Sequence, residues 1–74
     1  MAEMERPFDL LNGAMDKSVL VQLKGDKQLR GTLKTFDQHM NLVLSDTEEL
    51  ENDKVKTKIG NVIIRGDNIL YVSP

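Results

Sequence analysis

Two short polar strings hold the residues with the most specific chemistry in this chain. One is Asp37-Gln38-His39-Met40-Asn41, which runs into Leu42-Val43-Leu44; the other is Ile64-Arg65-Gly66-Asp67-Asn68, which runs into Ile69-Leu70. Between them they supply an imidazole, a guanidinium, a carboxamide and two carboxylates at points where apolar runs meet. Aromatic faces and arginine planes stack on unpaired bases, and amides read base edges. These strings therefore point to holding a nucleobase.

Each residue has a part in that chemistry. His39, the only histidine, can stack on a base; alone it cannot build a zinc site, which takes three or four ligands. The Asn41 carboxamide offers a donor and an acceptor, matching the O4 acceptor and N3–H donor of uracil and opposing the edge of cytosine. Such base contacts discriminate by roughly 1–3 kcal/mol. A carboxylate that accepts the other amide hydrogen would fix the orientation of Asn41, and Asp67 is the candidate if the two strings converge. Arg65 can cover the opposite face of the base or reach a phosphate. Gly66 lets its turn approach closely, and Asp37, Met40 and Gly66 count as supporting residues. Arg6, Asn12, Lys34 and Phe36 are candidates for a second, outer RNA contact.

Other chemistries fit poorly. Ser18, Ser45 and Ser73 lie in no nucleophile-elbow pattern. No phosphate-cradling glycine string is present. Asp37 and His39 have no accompanying nucleophile. No enzyme, cofactor or bound metal is expected. The acidic run Asp46, Glu48, Glu49, Glu51 and Asp53 lacks the spacing of an EF-hand loop. It reads as a solvated hairpin, with a divalent site made by repetition around a ring left open. Arg65-Gly66-Asp67 is also the tripeptide of cell-adhesion ligands, a reading that would need a secretory signal.

The elements that must position these residues follow from periodicity. Pro7 through Ala14 predicts one short helix with Phe8, Leu11 and Met15 on one side. From Ser18 the period becomes two. Val19-Val21-Leu23 marks a strand, Gly25-Asp26-Lys27 a turn, and Leu29 to Phe36 a second strand that Gly31 bends. Met40 to Ser45 predicts a third strand, 45–54 an acidic hairpin turning at Asn52-Asp53, and Val55 to Ile64 a fourth strand bent at Gly60. Arg65 to Asn68 is a tight turn, and Ile69 to Val72 a last strand. A short helix followed by about five bent antiparallel strands describes a small barrel.

Seventy-four residues make one domain with a modest core, and the chain has no cysteine, so disulfides and thiolate metal sites are excluded. Small size favours oligomerisation, and the Ile- and Val-rich final strands favour edge-to-edge pairing into a ring. The net charge of −2 argues against a generic nucleic-acid binder that works through many phosphate contacts, so a nucleic-acid site on this chain must be local. The first fifteen residues show no signal-peptide pattern and no apolar run reaches membrane-spanning length, so a cytoplasmic protein with no membrane partner is expected.

Taken in order, these motifs resemble the Sm-like (Lsm) family, most closely its archaeal members. The first Sm motif corresponds to Val19 through Leu44 (Leu23-Lys24-Gly25, Arg30-Gly31-Thr32-Leu33, Phe36 to Leu44), the second to Gly60 through Val72. The resemblance covers nearly the whole chain from Arg6-Pro7. It implies a mainly β Sm fold: a short N-terminal helix, then a strongly bent five-stranded antiparallel barrel. The fourth and fifth strands of neighbouring copies would pair to close a homo-oligomeric ring of seven or, as the alternative, six. Seven copies is the usual archaeal number, and the second motif lacks the Tyr-Lys-His string of the hexameric bacterial relative. The resemblance also implies uridine-rich single-stranded RNA at a central pore, with RNA-processing proteins as possible partners. His39 and Arg65 would sandwich uracil, Asn41 would read its edge, Asp67 would hold Asn41, and Asp37 would order the loop. The alternative is a ring scaffold for ribonucleoprotein or protein assembly that reads no base.

Overall fold

The computed structural model describes residues 7–73. Pro7 presets a helical backbone angle, and α1 runs Pro7–Gly13. It buries Leu11, with Ala14 just beyond its end, and leaves Leu10 exposed. The connection to the first strand is tied down rather than loose. The Asp16 amide donates to the Leu33 carbonyl at 2.7 Å, and the Leu33 amide donates to the Lys17 carbonyl at 3.0 Å.

Five strands follow: β1 Ser18–Leu23, β2 Lys27–Phe36, β3 Leu42–Glu51, β4 Lys54–Ile64 and β5 Ile69–Ser73. They form one antiparallel sheet in the order β4-β3-β2-β1-β5. The predicted alternation holds in β1, where Val19 and Val21 are buried, and in β2, where Leu29, Gly31 and Leu33 face inward. With Leu11, Ala14, Leu42, Leu44 and Ile64 these side chains make the core. Each fully buried Val or Leu contributes about 1.5–3 kcal/mol.

The sheet is bent across β2, β3 and β4 along one line. A Cβ at Gly31 would stand 2.9 Å from Thr47 Oγ1 and 3.1 Å from the Ser45 carbonyl, so the strands approach there only because the side chain is missing. Opposite, Asp46 takes a left-handed φ of 50° and Gly60 one of 75°. The β3–β4 register shifts between Leu44 and Thr47, and Thr47 pairs with Gly60. This bulge corrects one expectation. The third strand does not stop at Ser45: Asp46 absorbs the extra residue and β3 continues through the acidic run to Glu51. Asn52 and Asp53, both left-handed at φ 53° and 65°, then make the two-residue turn. The acids lie beside basic residues. Arg30 pairs with Glu48 at 3.1 Å and Lys56 with Glu51 at 3.4 Å, while Lys58 and Lys54 stand opposite Glu48 and Glu51.

The sheet's end strands are β4 and β5, and they carry exposed apolar side chains: Ile63 on one, Leu70 and Tyr71 on the other. Among the described residues no helix is long and apolar enough to cross a membrane.

Candidate functional site

The site forms where the β2–β3 connection meets the β4–β5 connection. After Phe36 the chain turns through Asp37 to Asn41. The Met40 amide donates to the Asp37 carbonyl at 3.0 Å and the Asp37 amide to the Asn41 carbonyl at 3.1 Å. The carboxylate of Asp37 organises this turn. Its Oδ1 accepts the amides of His39 at 2.8 Å and Asn41 at 3.1 Å, and its Oδ2 accepts Asn41 Nδ2 at 2.9 Å. Met40 completes the turn in the left-handed region, φ 64°, a conformation that costs a non-glycine residue about 1–2 kcal/mol.

The second connection is a single 3-10 turn, Gly66–Asn68, in which the Asn68 amide donates to the Arg65 carbonyl at 3.0 Å. It packs directly onto the first. Any Cβ on Gly66 would collide with the His39 carbonyl and lie 3.0 Å from both Met40 C and O. That closeness lets the Gly66 amide donate to Asn41 Oδ1 at 2.7 Å. A backbone N–H can only donate and a carboxylate can only accept, so the two contacts fix which way the Asn41 amide points. One Nδ2 hydrogen and one Oδ1 lone pair are left over.

His39, Asn41, Arg65 and Asp67 line one open recess of about 310 Å³, at the small end of ligand-site volumes. The structure thus brings together all four residues predicted to form a base pocket. It assigns the carboxylates differently. Asp37 accepts the Asn41 amide hydrogen, while Asp67 pairs with Arg65 at 3.2 Å (Nη2 to Oδ2). The reason is distance along the chain. Asp37 starts the turn that Asn41 ends, whereas Asp67 lies beside Arg65, with both side chains largely exposed. Asp37 does order the loop carrying His39, as expected. Donation from the Asn41 side chain and then its backbone, with smaller help from His39, holds the Asp37 carboxyl below the usual carboxylate range, against a small opposing desolvation.

Of the supporting residues, Asp37 and Gly66 hold Asn41 within the site, whereas the outer candidates fall elsewhere. Met40 and Gly66 line a separate apolar cleft with Leu10, Leu11, Ile69, Leu70, Tyr71 and Val72. Phe36 is half-buried and meets Phe8 edge-on, ring centres 5.1 Å apart. With Val43 and Ile63 it lines a hollow that also touches Asp37, Asn41 and Arg65. Asn12 is exposed on α1 and lines neither recess. Lys34 pairs with Asp16 at 2.8 Å, which raises the lysine's pKa. Arg6 lies outside the described residues. Sequence reasoning missed the Gly66 amide as partner of Asn41. No side-chain pattern signals a backbone contact across 25 residues.

The profile of the LSM domain matches residues 9–74. This chain belongs to the LSM domain family. Among its Sm-like relatives, a protein of Methanosarcina barkeri is 56% identical over 69 residues, covering 93% of this chain and 96% of that one. An Sm-like protein of Archaeoglobus fulgidus is 52% identical over 69 residues, covering 93% and 90%. Solved Sm structures superpose closely. A Pyrococcus abyssi Sm protein in complex with a uridine heptamer has a TM-score of 0.90 at 44% identity, covering 95% of this chain and 99% of that one. A heptameric archaeal Sm protein scores 0.84 at 42% identity, covering 89% and 96%. The helix and bent five-stranded sheet of this Sm-like chain are therefore the Sm fold.

Proposed function

We propose that this chain is a non-enzymatic, ring-forming protein that binds uridine-rich single-stranded RNA, acting in cytoplasmic RNA processing or turnover. The observation that carries the reading is the doubly held amide of Asn41. With Oδ1 on the Gly66 amide and Nδ2 on Asp37, the remaining N–H suits uracil O4 and the remaining lone pair suits uracil N3–H. Cytosine presents the reverse pattern. Turning the amide over to suit it would set Nδ2 against an N–H and Oδ1 against a carboxylate. His39 and Arg65, on the same recess, supply the two stacking faces. Asp67 holds Arg65 by the shared ion pair.

The ring is supported by the end strands and the relatives together. β4 and β5 each leave an unpaired edge beside exposed Ile63, Leu70 and Tyr71, a form that ordinarily pairs with another chain. Edges of opposite ends pair head-to-tail and close into a cyclic assembly. The heptamers of similar Sm proteins make seven the expected number. A ring also answers the charge objection: several identical weak sites on one strand act at high effective concentration.

The test is binding of oligouridine against oligocytidine at two salt concentrations, with assembly mass measured on the same sample. Uridine-selective binding by a particle of about seven chains, with no cleavage of the RNA, is the expected result. A ring without base preference would favour a scaffold for other ribonucleoprotein components.

A further inference from the structure

We infer that the recess selects a class of base wider than uracil: any base whose edge sets a carbonyl beside a ring N–H. That class adds the 6-oxopurines, guanine and hypoxanthine, and rejects adenine along with cytosine. It rests on the reading of the Asn41 amide given above. The amide leaves one N–H and one lone pair toward a ligand, because its other N–H goes to Asp37 and its other lone pair to the Gly66 amide. Uracil meets them with O4 and N3–H. Guanine and hypoxanthine meet them with O6 and N1–H, side by side in the same six-membered lactam ring. Adenine and cytosine present an amino group beside a bare ring nitrogen, which sets donor against donor and acceptor against acceptor.

Only width would separate a 6-oxopurine from uracil, and the walls of the recess do not fix a width. His39, Arg65 and Asp67 are exposed, whereas Asn41 is half-buried. Arg65 is tied to Asp67 by one exposed contact at 3.2 Å, a kind of pair that holds a side chain weakly. Stacking faces tolerate any base, since every base has a π-face, and the second ring of a purine extends between the same two faces. The amide is held differently. Asp37 and Gly66 grip it at 2.9 and 2.7 Å, from two connections packed so closely that a Cβ on Gly66 has no room. The rigid group therefore selects the edge, and the adaptable groups accept either ring size. A site that hydrogen-bonds its ligand rejects a mismatched edge far more strongly than a change of bulk. The RNA that follows from this is single-stranded, with guanosine admitted among its uridines.

Inosine and adenosine isolate the edge, since they match in width and stacking area and differ only in which groups donate and accept. The 5′-monophosphates of uridine, cytidine, inosine, adenosine and guanosine are titrated by NMR into the assembled wild-type protein and into Asn41→Ala. His39 is the only histidine, so its imidazole signals report this recess, and the Asn41 side-chain N–H signals report the hydrogen bond itself. Inosine monophosphate is expected to bind about tenfold more tightly than adenosine monophosphate, the scale of one well-matched base edge. Guanosine is expected to rank with inosine. The three lactam nucleotides shift an Asn41 N–H downfield and the other two do not. In Asn41→Ala the inosine-over-adenosine ratio disappears; the wild-type comparison decides the matter without that variant. Inosine no tighter than adenosine, with uridine still ahead of cytidine, overturns the lactam class and leaves the uracil reading in place. Guanosine ranking with adenosine overturns the extension to guanine. Equal binding of uridine and cytidine overturns the uracil reading and this inference together.

Discussion

Replacing Gly66 with alanine tests the join between the two connections at one atom. An added Cβ would collide with the His39 carbonyl and lie 3.0 Å from Met40 C and O. All three are backbone atoms, and no rotamer change relieves them. Displacing backbone in a packed region costs about 1–3 kcal/mol. Withdrawing the turn also breaks the 2.7 Å hydrogen bond from the Gly66 amide to Asn41 Oδ1, about another 1 kcal/mol. The total is about 2–4 kcal/mol, which for a domain of this size lowers Tm by at least about 8 °C. With one of its two anchors gone the Asn41 amide turns freely, and preference for uridine over cytidine is expected to fall by about tenfold. Two other glycines serve as controls. Gly31→Ala meets Thr47 Oγ1 at 2.9 Å and Leu44 Cβ at 3.2 Å, so it lowers Tm but leaves the preference unchanged. Gly13→Ala, at the end of α1 with nothing within 4 Å, leaves both intact. Calorimetry and anisotropy on assemblies of verified mass read both quantities. A Gly66→Ala ring with wild-type Tm and wild-type preference would show that the two connections are not joined through this contact.

Three further expectations follow from the same geometry. Asp37→Ala removes the acceptor of Asn41 Nδ2 and should erase most of the uridine-over-cytidine ratio, whereas Asp67→Ala, which breaks only an exposed ion pair with Arg65, should leave the ratio within about twofold; competition binding compares them. Thr47→Val should raise Tm in a thermal scan by a few degrees, because Thr47 Oγ1 is buried with no hydrogen-bond partner among the described residues and its removal relieves a desolvation cost of about 1 kcal/mol. The Asp37 carboxyl is held below its ordinary value by the contacts it accepts, so the order it lends is fully present above the unfolded aspartate value, about 3.9, and is lost as pH falls through the lower folded value. Asn41 side-chain amide signals should therefore stay dispersed as pH falls to the unfolded aspartate value and collapse only below it.

Much of the candidate site's arrangement was legible because its residues sit in short strings between strands of clear period two. His39, Asn41, Arg65 and Asp67 were found by side-chain chemistry, and they do share a recess. The partner of Asn41 was misassigned for a physical reason. Asp37 and Asp67 are equally good acceptors on paper, and only the turn geometry, with Asp37 Oδ1 already bound to two amides of the same loop, puts Oδ2 beside Asn41. In the fold, Gly31 and Gly60 announced the bend, since glycine inside a strand calls for an explanation. Asp46 did not. A left-handed aspartate inside an acidic run reads as a strand end, which is why β3 extends six residues further, to Glu51, than the pattern indicated. The open edges were visible as Ile- and Val-rich final strands, and the sheet order places the expected fourth and fifth strands outermost.

The claim at the centre of the account is that Asn41 reads the O4 and N3–H edge of uracil. Binding of oligouridine against oligo(3-methyluridine) tests this most directly, because the methyl group blocks the N3–H and leaves stacking and phosphates in place. Methylation is expected to lower affinity by at least tenfold in the wild-type ring, and to have little effect in Asn41→Ala, whose affinity for oligouridine is already low. Equal binding of the two oligonucleotides by the wild-type ring would contradict it.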